Sequence, residues 1–187
     1  MKQDFYKIPF LFFFFLCVRL PAQEFTYQTF NASDGLPTSE IISLYKDSRG
    51  FLWVGTTLGV SRYDGYSFEN FQTASGGHVI GNVICIKEDN RKKLWIGSHA
   101  GLFFLENNQI HKANLSESNL QGINDILPEE DGSIWLATEN GPAYIKAAVL
   151  NNCKTQPIDL KKYILPDWLS QNDNQDVRRA TYITKAP

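Results

Sequence analysis

Asp47-Ser48-Arg49-Gly50-Phe51-Leu52-Trp53-Val54-Gly55-Thr56 decides the fold, because the same pattern returns twice further along the chain. Trp53, Trp95 and Trp135 lie 42 and 40 positions apart, and the columns around them agree. One residue before each stands Leu52, Leu94 or Ile134, and one after stands Val54, Ile96 or Leu136. Two after stands Gly55, Gly97 or Ala137, and three after stands Thr56, Ser98 or Thr138. Gly59, Gly101 and Gly141 follow six after, and Asp47, Asp89 and Glu129 precede by six. Further upstream lie Leu44, Ile86 and Ile126, then Ile41, Val83 and Ile123. A period of 40–45 residues is a repeat architecture rather than one irregular domain.

Each copy reads as four short strands. Ile41 to Lys46 is the first, and Asp47-Ser48-Arg49-Gly50 is a turn with Asp at its start and Gly at its end, as a type I turn prefers. Phe51 to Thr56 is the second strand, Thr57-Leu58-Gly59 reverses the chain, and Val60 to Tyr63 is the third. Asp64-Gly65 is a short hairpin signal leading to the fourth, Tyr66 to Phe71. Turns every six to eight residues exclude a helical solenoid, and four strands per repeat indicate a β-propeller. The expected architecture is all-β: a partial β-propeller of about three four-stranded blades, with a leading strand and the start of a fourth blade.

The blades fall at about 41–71, 83–113 and 123–160, inside an incomplete propeller spanning 23–187. Tyr27 and Phe30 match Phe68 and Phe71, so Phe25 to Phe30 reads as a fourth strand without its own blade. In a closed ring it would complete the last one. Residues 146–176 are irregular, with a short helical turn expected between Pro157 and Ser170, and 177–187 resembles the first strand of a next blade. Three blades cannot close, since rings typically need 4–8. The expectation is therefore an N-terminal part of a longer protein, assembly of copies into one ring being the alternative.

The first 22 residues read as a leader. Lys2 and Lys7 precede an apolar run from Ile8 to Val18, and Ala22 offers a small residue for cleavage. The run is too short to span a bilayer, which takes about 20 residues, and it fits a secretory signal peptide. A buried N-terminal helix or an uncleaved anchor is the alternative. Cys17 follows Phe15 and Leu16, a poor lipoprotein site. The expected location is exported and periplasmic. The whole chain carries a net charge of -2 and no basic surface signature, so nucleic acid is not an expected partner. The three Cys form no disulfide framework and no zinc-ligand spacing. Cys85, in an apolar run, is expected as a buried free thiol, and Cys153 in a polar loop; no bridge between them is expected. Neither a metal nor a cofactor is expected.

Gly35-Leu36-Pro37-Thr38-Ser39-Glu40-Ile41, then Asp47 to Thr56, then Gly59-Val60-Ser61-Arg62-Tyr63-Asp64-Gly65 resemble the two-component regulator propeller repeat. The resemblance covers about residues 24–145. It implies a periplasmic sensor region of a hybrid histidine kinase and response regulator, and a glycan-derived ligand. Such proteins carry an immunoglobulin-like domain, a membrane helix, kinase domains and a DNA-binding domain after the propellers. Membrane contact would then come only through that parent region, and the partners implied are an oligosaccharide or other small ligand and the remainder of the sensor. The second copy departs from the pattern at Lys92, where Gly is usual, and the third at Ala137 and Pro142.

The repeated Trp53, Trp95 and Trp135, with Gly59, Gly101 and Gly141, are read as structural, because packing residues recur while ligand residues vary between blades. Asp47, Asp89 and Glu129 are read as turn residues rather than calcium ligands. In a four-stranded meander the inter-blade connections and the turns between strands two and three share one face. There lie Pro37-Thr38, Gly77-His78-Val79, His99-Ala100 and Glu139-Asn140, and His78, His99, Glu139 and Asn140 are the candidate ligand-binding residues. Arg91-Lys92-Lys93 reads as a solvated hairpin tip. Ser43-Leu44-Tyr45-Lys46 fits S-x-x-K but lacks its companion motifs. Asn31-Ala32-Ser33 and Asn114-Leu115-Ser116 fit the glycosylation acceptor, relevant only in a eukaryotic secretory path. No catalysis is expected of this chain. The alternatives are a propeller enzyme of the sialidase or streptogramin lyase type, and a secreted protein-binding scaffold.

Overall fold

A computed structural model describes residues 26–115, 122–151, 153 and 154. A 3-10 turn over Ala32–Asp34 leads into eleven strands among these residues. They are β1 Ile41–Lys46, β2 Leu52–Thr56, β3 Gly59–Tyr63, β4 Phe68–Phe71, β5 Val83–Glu88, β6 Leu94–Ser98, β7 Gly101–Glu106, β8 Gln109–Lys112, β9 Ile123–Pro128, β10 Ile134–Thr138 and β11 Gly141–Ile145. One turn of helix, α1, follows at Ala147–Leu150. The strands form three antiparallel meanders in the orders β1-β2-β3-β4, β5-β6-β7-β8 and β9-β10-β11. The fold is all-β and propeller-like, as the repeat implies, and the first strand matches its expected limits residue for residue.

Side-chain alternation sorts each sheet into two faces. In the first sheet Trp53, Gly55 and Val60 point toward the second; in the second, Trp95, Gly97 and Leu102 point toward the third. The opposite face of the second sheet carries Ile86, Ile96 and Phe103, and that of the third Ile126, Leu136 and Ala143. One apolar cluster therefore lies between sheets one and two, around Trp53, and a second between sheets two and three, around Trp95. Both indoles are fully buried. Burying one such ring contributes a few kcal/mol, about 1.5–3 for a large apolar side chain.

The glycine two places after each Trp lets the next sheet come close. A Cβ at Gly55 would strike Val83, and one at Gly97 would lie 2.7 Å from Ile123 Cγ2, each at the start of the following innermost strand.

Three details stand beside the expectations. Residues 26–30 form no strand among the described residues, and the last blade that the reading of Phe25 to Phe30 assigned them to lies outside those residues. Phe30 instead packs on Tyr63 and Phe68, with ring centroids 5.1 and 5.5 Å away. The third sheet has three strands among the described residues, because the chain leaves β11 at Lys146 and turns into α1. Cys153 is buried rather than in a polar loop: its carbonyl accepts from Asn114 N at 2.7 Å, and its side chain joins the Cys85 cluster. Both thiols are free. The leader 1–22, the expected helical turn at 157–170, the end of the third blade at 155–160 and the strand at 177–187 lie outside the described residues.

Candidate functional site

The repeated residues build a frame at both ends of each sheet. At one end, the Asp47 carboxylate accepts from the N–H groups of Arg49 and Phe51, each at 3.0 Å, and from the indole Nε1 of Trp53 at 3.0 Å. Asp89 repeats this with Arg91 N and Lys93 N at 2.9 Å and Trp95 Nε1 at 3.0 Å. A single carboxylate thus closes the turn and orients the buried indole. The six-residue spacing of Asp and Trp in the first two copies carried that signal, but the expectation assigned Asp to the turn alone. Burial by itself would raise the Asp47 pKa. The hydrogen bonds from Trp53, Arg49 and Phe51, with the Arg49 charge beside them, outweigh it and hold the carboxyl below its ordinary value. In the third copy Asp131 caps the turn, accepting from Ser133 N at 2.8 Å, and Tyr144 donates to Ser133 Oγ at 3.0 Å.

At the other end, the hydroxyl three places after each Trp closes the turn between the second and third strands. Thr56 Oγ1 donates to Gly59 O at 2.9 Å and accepts from Leu58 N at 3.1 Å. Ser98 Oγ bonds Gly101 O and Ala100 N, and Thr138 Oγ1 bonds Gly141 O and Asn140 N, in the same way. Gly59, Gly101 and Gly141 sit at φ of 131, 123 and 110, where a side chain is strained. The frame is constant, and the two residues at its tip vary: Thr57-Leu58, His99-Ala100 and Glu139-Asn140.

Those tips are tied to the entries of the innermost strands. His99 N donates to Asn82 O at 3.1 Å, and Glu139 N donates to Gly122 O at 3.4 Å. Gly122 has no side chain, and the Glu139 carboxyl group lies over it: a Cβ there would meet Oε1 at 2.8 Å. Asn82 occupies the equivalent place beside His99, and its buried Oδ1 has no hydrogen-bond partner among the described residues. His99, Glu139 and Asn140 are exposed. Because β5 and β9 are packed side by side, their two junctions present His99 with Asn82, and Glu139 and Asn140 with Gly122, on one rim. Thr57 and Leu58 occupy the equivalent tip in the first sheet, and Asn82 the equivalent strand entry in the second, places that the repeat register gives.

His78 is placed differently. It is exposed on a loop closed by Ala74 N to His78 O at 2.7 Å and a bridge between Thr73 and Val79. Ser75 fastens that loop to the outer strand β8: its N–H donates to Ile110 O at 2.7 Å, and its Oγ lies 2.6 Å from His111 Nδ1. No hydrogen bond joins the His78 side chain to the other three candidates among the described residues. The Arg91-Lys92-Lys93 tip is not simply solvated either. Arg91 Nη1 donates to Asn151 Oδ1 at 3.2 Å, and Lys93 Nζ stands 3.8 Å from the Phe104 ring centre and 4.7 Å from that of Trp95.

Two groups complete the inner strands. Lys87 Nζ pairs with Asp125 Oδ1 at 3.6 Å across sheets two and three. Burial, with Asp125 nearby, pushes the Cys85 thiol up to about 12, so it is a packing group and not a nucleophile. Among the described residues no group of three or more His, Cys, Asp or Glu side chains could hold a metal ion, and no helix is long and apolar enough to cross a membrane.

Comparison with known proteins agrees with this geometry. Residues 35–57 match the family model described as two component regulator propeller. A 64-residue stretch is 38% identical to histidine kinase P4 of Formosa agariphila, covering 33% of this chain and 5% of that protein. The structure is similar to the extracellular domain of a B. thetaiotaomicron protein described as a one component system, with a TM-score of 0.60, 17% identity, and coverage of 77% of this chain and 21% of that one. It is also similar to the extracellular domain of one described as a hybrid two component system, with a TM-score of 0.56, 22% identity, and coverage of 84% and 19%. The chain thus spans a small part of each of these proteins. Residues 35–57 thus match the two component regulator propeller repeat, and the fold is similar to that of these extracellular domains.

Proposed function

We propose that this chain is a ligand-sensing propeller segment of a two-component regulator, exported to the periplasm, whose ligand is a glycan-derived oligosaccharide. One observation carries the reading: a repeated frame of hydroxyl and glycine presents tips that differ from blade to blade. Such a division is what recognition requires, since rigid scaffolds position variable loops. The rim offers an imidazole, a carboxylate and an amide, a mixture of donors and acceptors that suits the hydroxyl groups of a sugar better than an apolar or singly charged ligand. The similarity to extracellular domains supports export, and the 38% identical stretch supports a histidine kinase as the parent. Sensing needs only a ligand with unequal affinity for two states of the whole receptor.

The test is made on the complete receptor with a panel of neutral and acidic di- to tetrasaccharides, read by calorimetric titration. A hit whose affinity falls about tenfold or more in His99→Ala and Glu139→Ala, each removal costing about 1.4 kcal/mol or more, supports the reading. A hit whose affinity neither substitution changes moves the site elsewhere. Substituting His78, fastened toward β8, is expected to have the smaller effect.

A further inference from the structure

The two ends of the sheets differ in charge. At the rim end, the tips Thr57-Leu58, His99-Ala100 and Glu139-Asn140, the entry 36–40 and the connections 72–82 and 113–122 contain no Lys or Arg in sequence, while Glu40 and Glu139 are both exposed there. At the other end, the turns between the first and second strands carry Arg49, Arg91, Lys92 and Lys93. Asp47, Glu69, Glu106 and Asp125 each pair with a Lys or Arg, within the sheets or at that other end. Glu139 has no such partner among the described residues. Its carboxyl group is held inward, because a Cβ at Gly122 would fall 2.8 Å from Oε1, and so it stands over the entry to the innermost strand β9. Glu40 holds the entry to β1 in the place that Asn82 holds before β5. Lys112 is the one Lys or Arg near this end among the described residues, and it lies on the outermost strand β8 with its Cε against Gly101.

We propose, resting on the oligosaccharide reading above, that this rim admits uncharged saccharides and rejects those bearing a carboxylate or sulfate, with Glu139 as the specificity-determining residue and Glu40 as its support. An anionic sugar seated here would meet like charge with no Lys or Arg at the inner strands to neutralise it, and selectivity arises from such repulsion as readily as from attraction. A carboxylate about 6 Å from a second one loses about threefold in affinity in dilute buffer even at the dielectric of water, and two such carboxylates lose about tenfold. An uncharged sugar loses nothing, because an ionised carboxylate accepts hydrogen bonds from its hydroxyl groups.

The experiment is calorimetric titration of the complete receptor with paired disaccharides that differ only at C6, each hydroxymethyl sugar set against its uronate, cellobiose and its glucuronate counterpart among them. His99 occupies the neighbouring tip, so the titrations are run at pH 8, where an ordinary imidazole carries no charge. The expected result is that the uncharged member of a pair binds about tenfold tighter. Glu139→Gln, which keeps an acceptor and removes the charge, should narrow that ratio about threefold or more. Salt at about 1 M, where the screening length is about 3 Å, should narrow it as well. The ratio is the readout, because Glu139 is itself a contact. Glu40→Gln serves in the same way if Glu139→Gln fails to fold. A ratio near one, or one that favours the uronate, overturns the proposal and leaves the oligosaccharide reading standing. A ratio that neither substitution nor salt changes also overturns it, because the discrimination is then steric. Binding of no sugar in either series overturns the oligosaccharide reading and the proposal together.

Discussion

Gly97→Ala tests the packing between sheets with a single methyl group. An ideal Cβ at position 97 falls 2.5 Å from Cys85 Sγ, 2.7 Å from Ile123 Cγ2 and 3.1 Å from Ile123 Cβ. Carbon atoms prefer separations of about 3.5–4.0 Å, so β9 would have to retreat from β6 by about 1 Å. Cys85 cannot yield easily, because it is itself buried and paired in register with Gly97. Overpacking of this kind costs about 1–3 kcal/mol. The smaller backbone entropy of the unfolded alanine chain returns about 0.4–1 kcal/mol. A net loss of about 1–2 kcal/mol remains, which lowers Tm by about 2–8 °C in a chain of this size. Thermal unfolding of the complete protein, followed by indole fluorescence, reads it directly because Trp95 lies in the same interface. Ile123→Ala removes the methyl group that a Cβ would strike, so the loss caused by Gly97→Ala should shrink in that background. An unchanged Tm for Gly97→Ala, or strict additivity with Ile123→Ala, would refute the close-approach argument.

Lys92 adopts a φ of 63 at the turn position where the first and third copies have Gly50 and Gly132. Lys92→Gly should relieve about 1–2 kcal/mol of left-handed strain against about 0.5–1 kcal/mol of added chain entropy, raising the urea midpoint slightly; a lower midpoint would contradict this. Asp47 is held below its ordinary pKa in the folded state, so its contribution is complete above the unfolded value near 4 and is lost as pH falls through the lower folded value. Asp47→Asn should therefore destabilise at neutral pH by about 1–3 kcal/mol and flatten the acid limb of a plot of Tm against pH; an unchanged acid limb would count against the carboxylate clamp. Cys85, with its thiol raised to about 12, should resist iodoacetamide at pH 8 in the native protein and react freely in urea. Rapid native alkylation would show that the inner strands open.

The register of the repeat could be read from residues alone because three independent copies carried it. A strand buries alternate residues, a tight reversal demands Gly, and an indole recurs at 53, 95 and 135, fully buried between sheets at Trp53 and Trp95 and half-buried at Trp135. That is why β1, β2 and β3 fall within a residue of their expected limits. The compensations between copies were not legible, since they occur where the columns disagree. Arg62 stacks on Phe51 at 4.8 Å in the first sheet, whereas Lys93 stacks on Phe104 at 3.8 Å in the second, the cation and the ring having exchanged strands. In the third the same two places hold Ser133 and Tyr144, joined by a hydrogen bond. Each pair satisfies one contact in three chemistries, and no single column shows it.

The candidate site divides along the same line. Periodicity alone placed His99, Glu139 and Asn140 at equivalent turn tips, because hairpin geometry within a blade is local. It could not place His78, whose loop takes its direction from Ser75 bonding to β8 of the next sheet. Nor could it show Asn82 with a buried amide oxygen unpartnered among the described residues, or Cys153 folded back onto Asn114. These depend on contacts between residues distant in the chain, and such contacts exist only after the sheets have stacked.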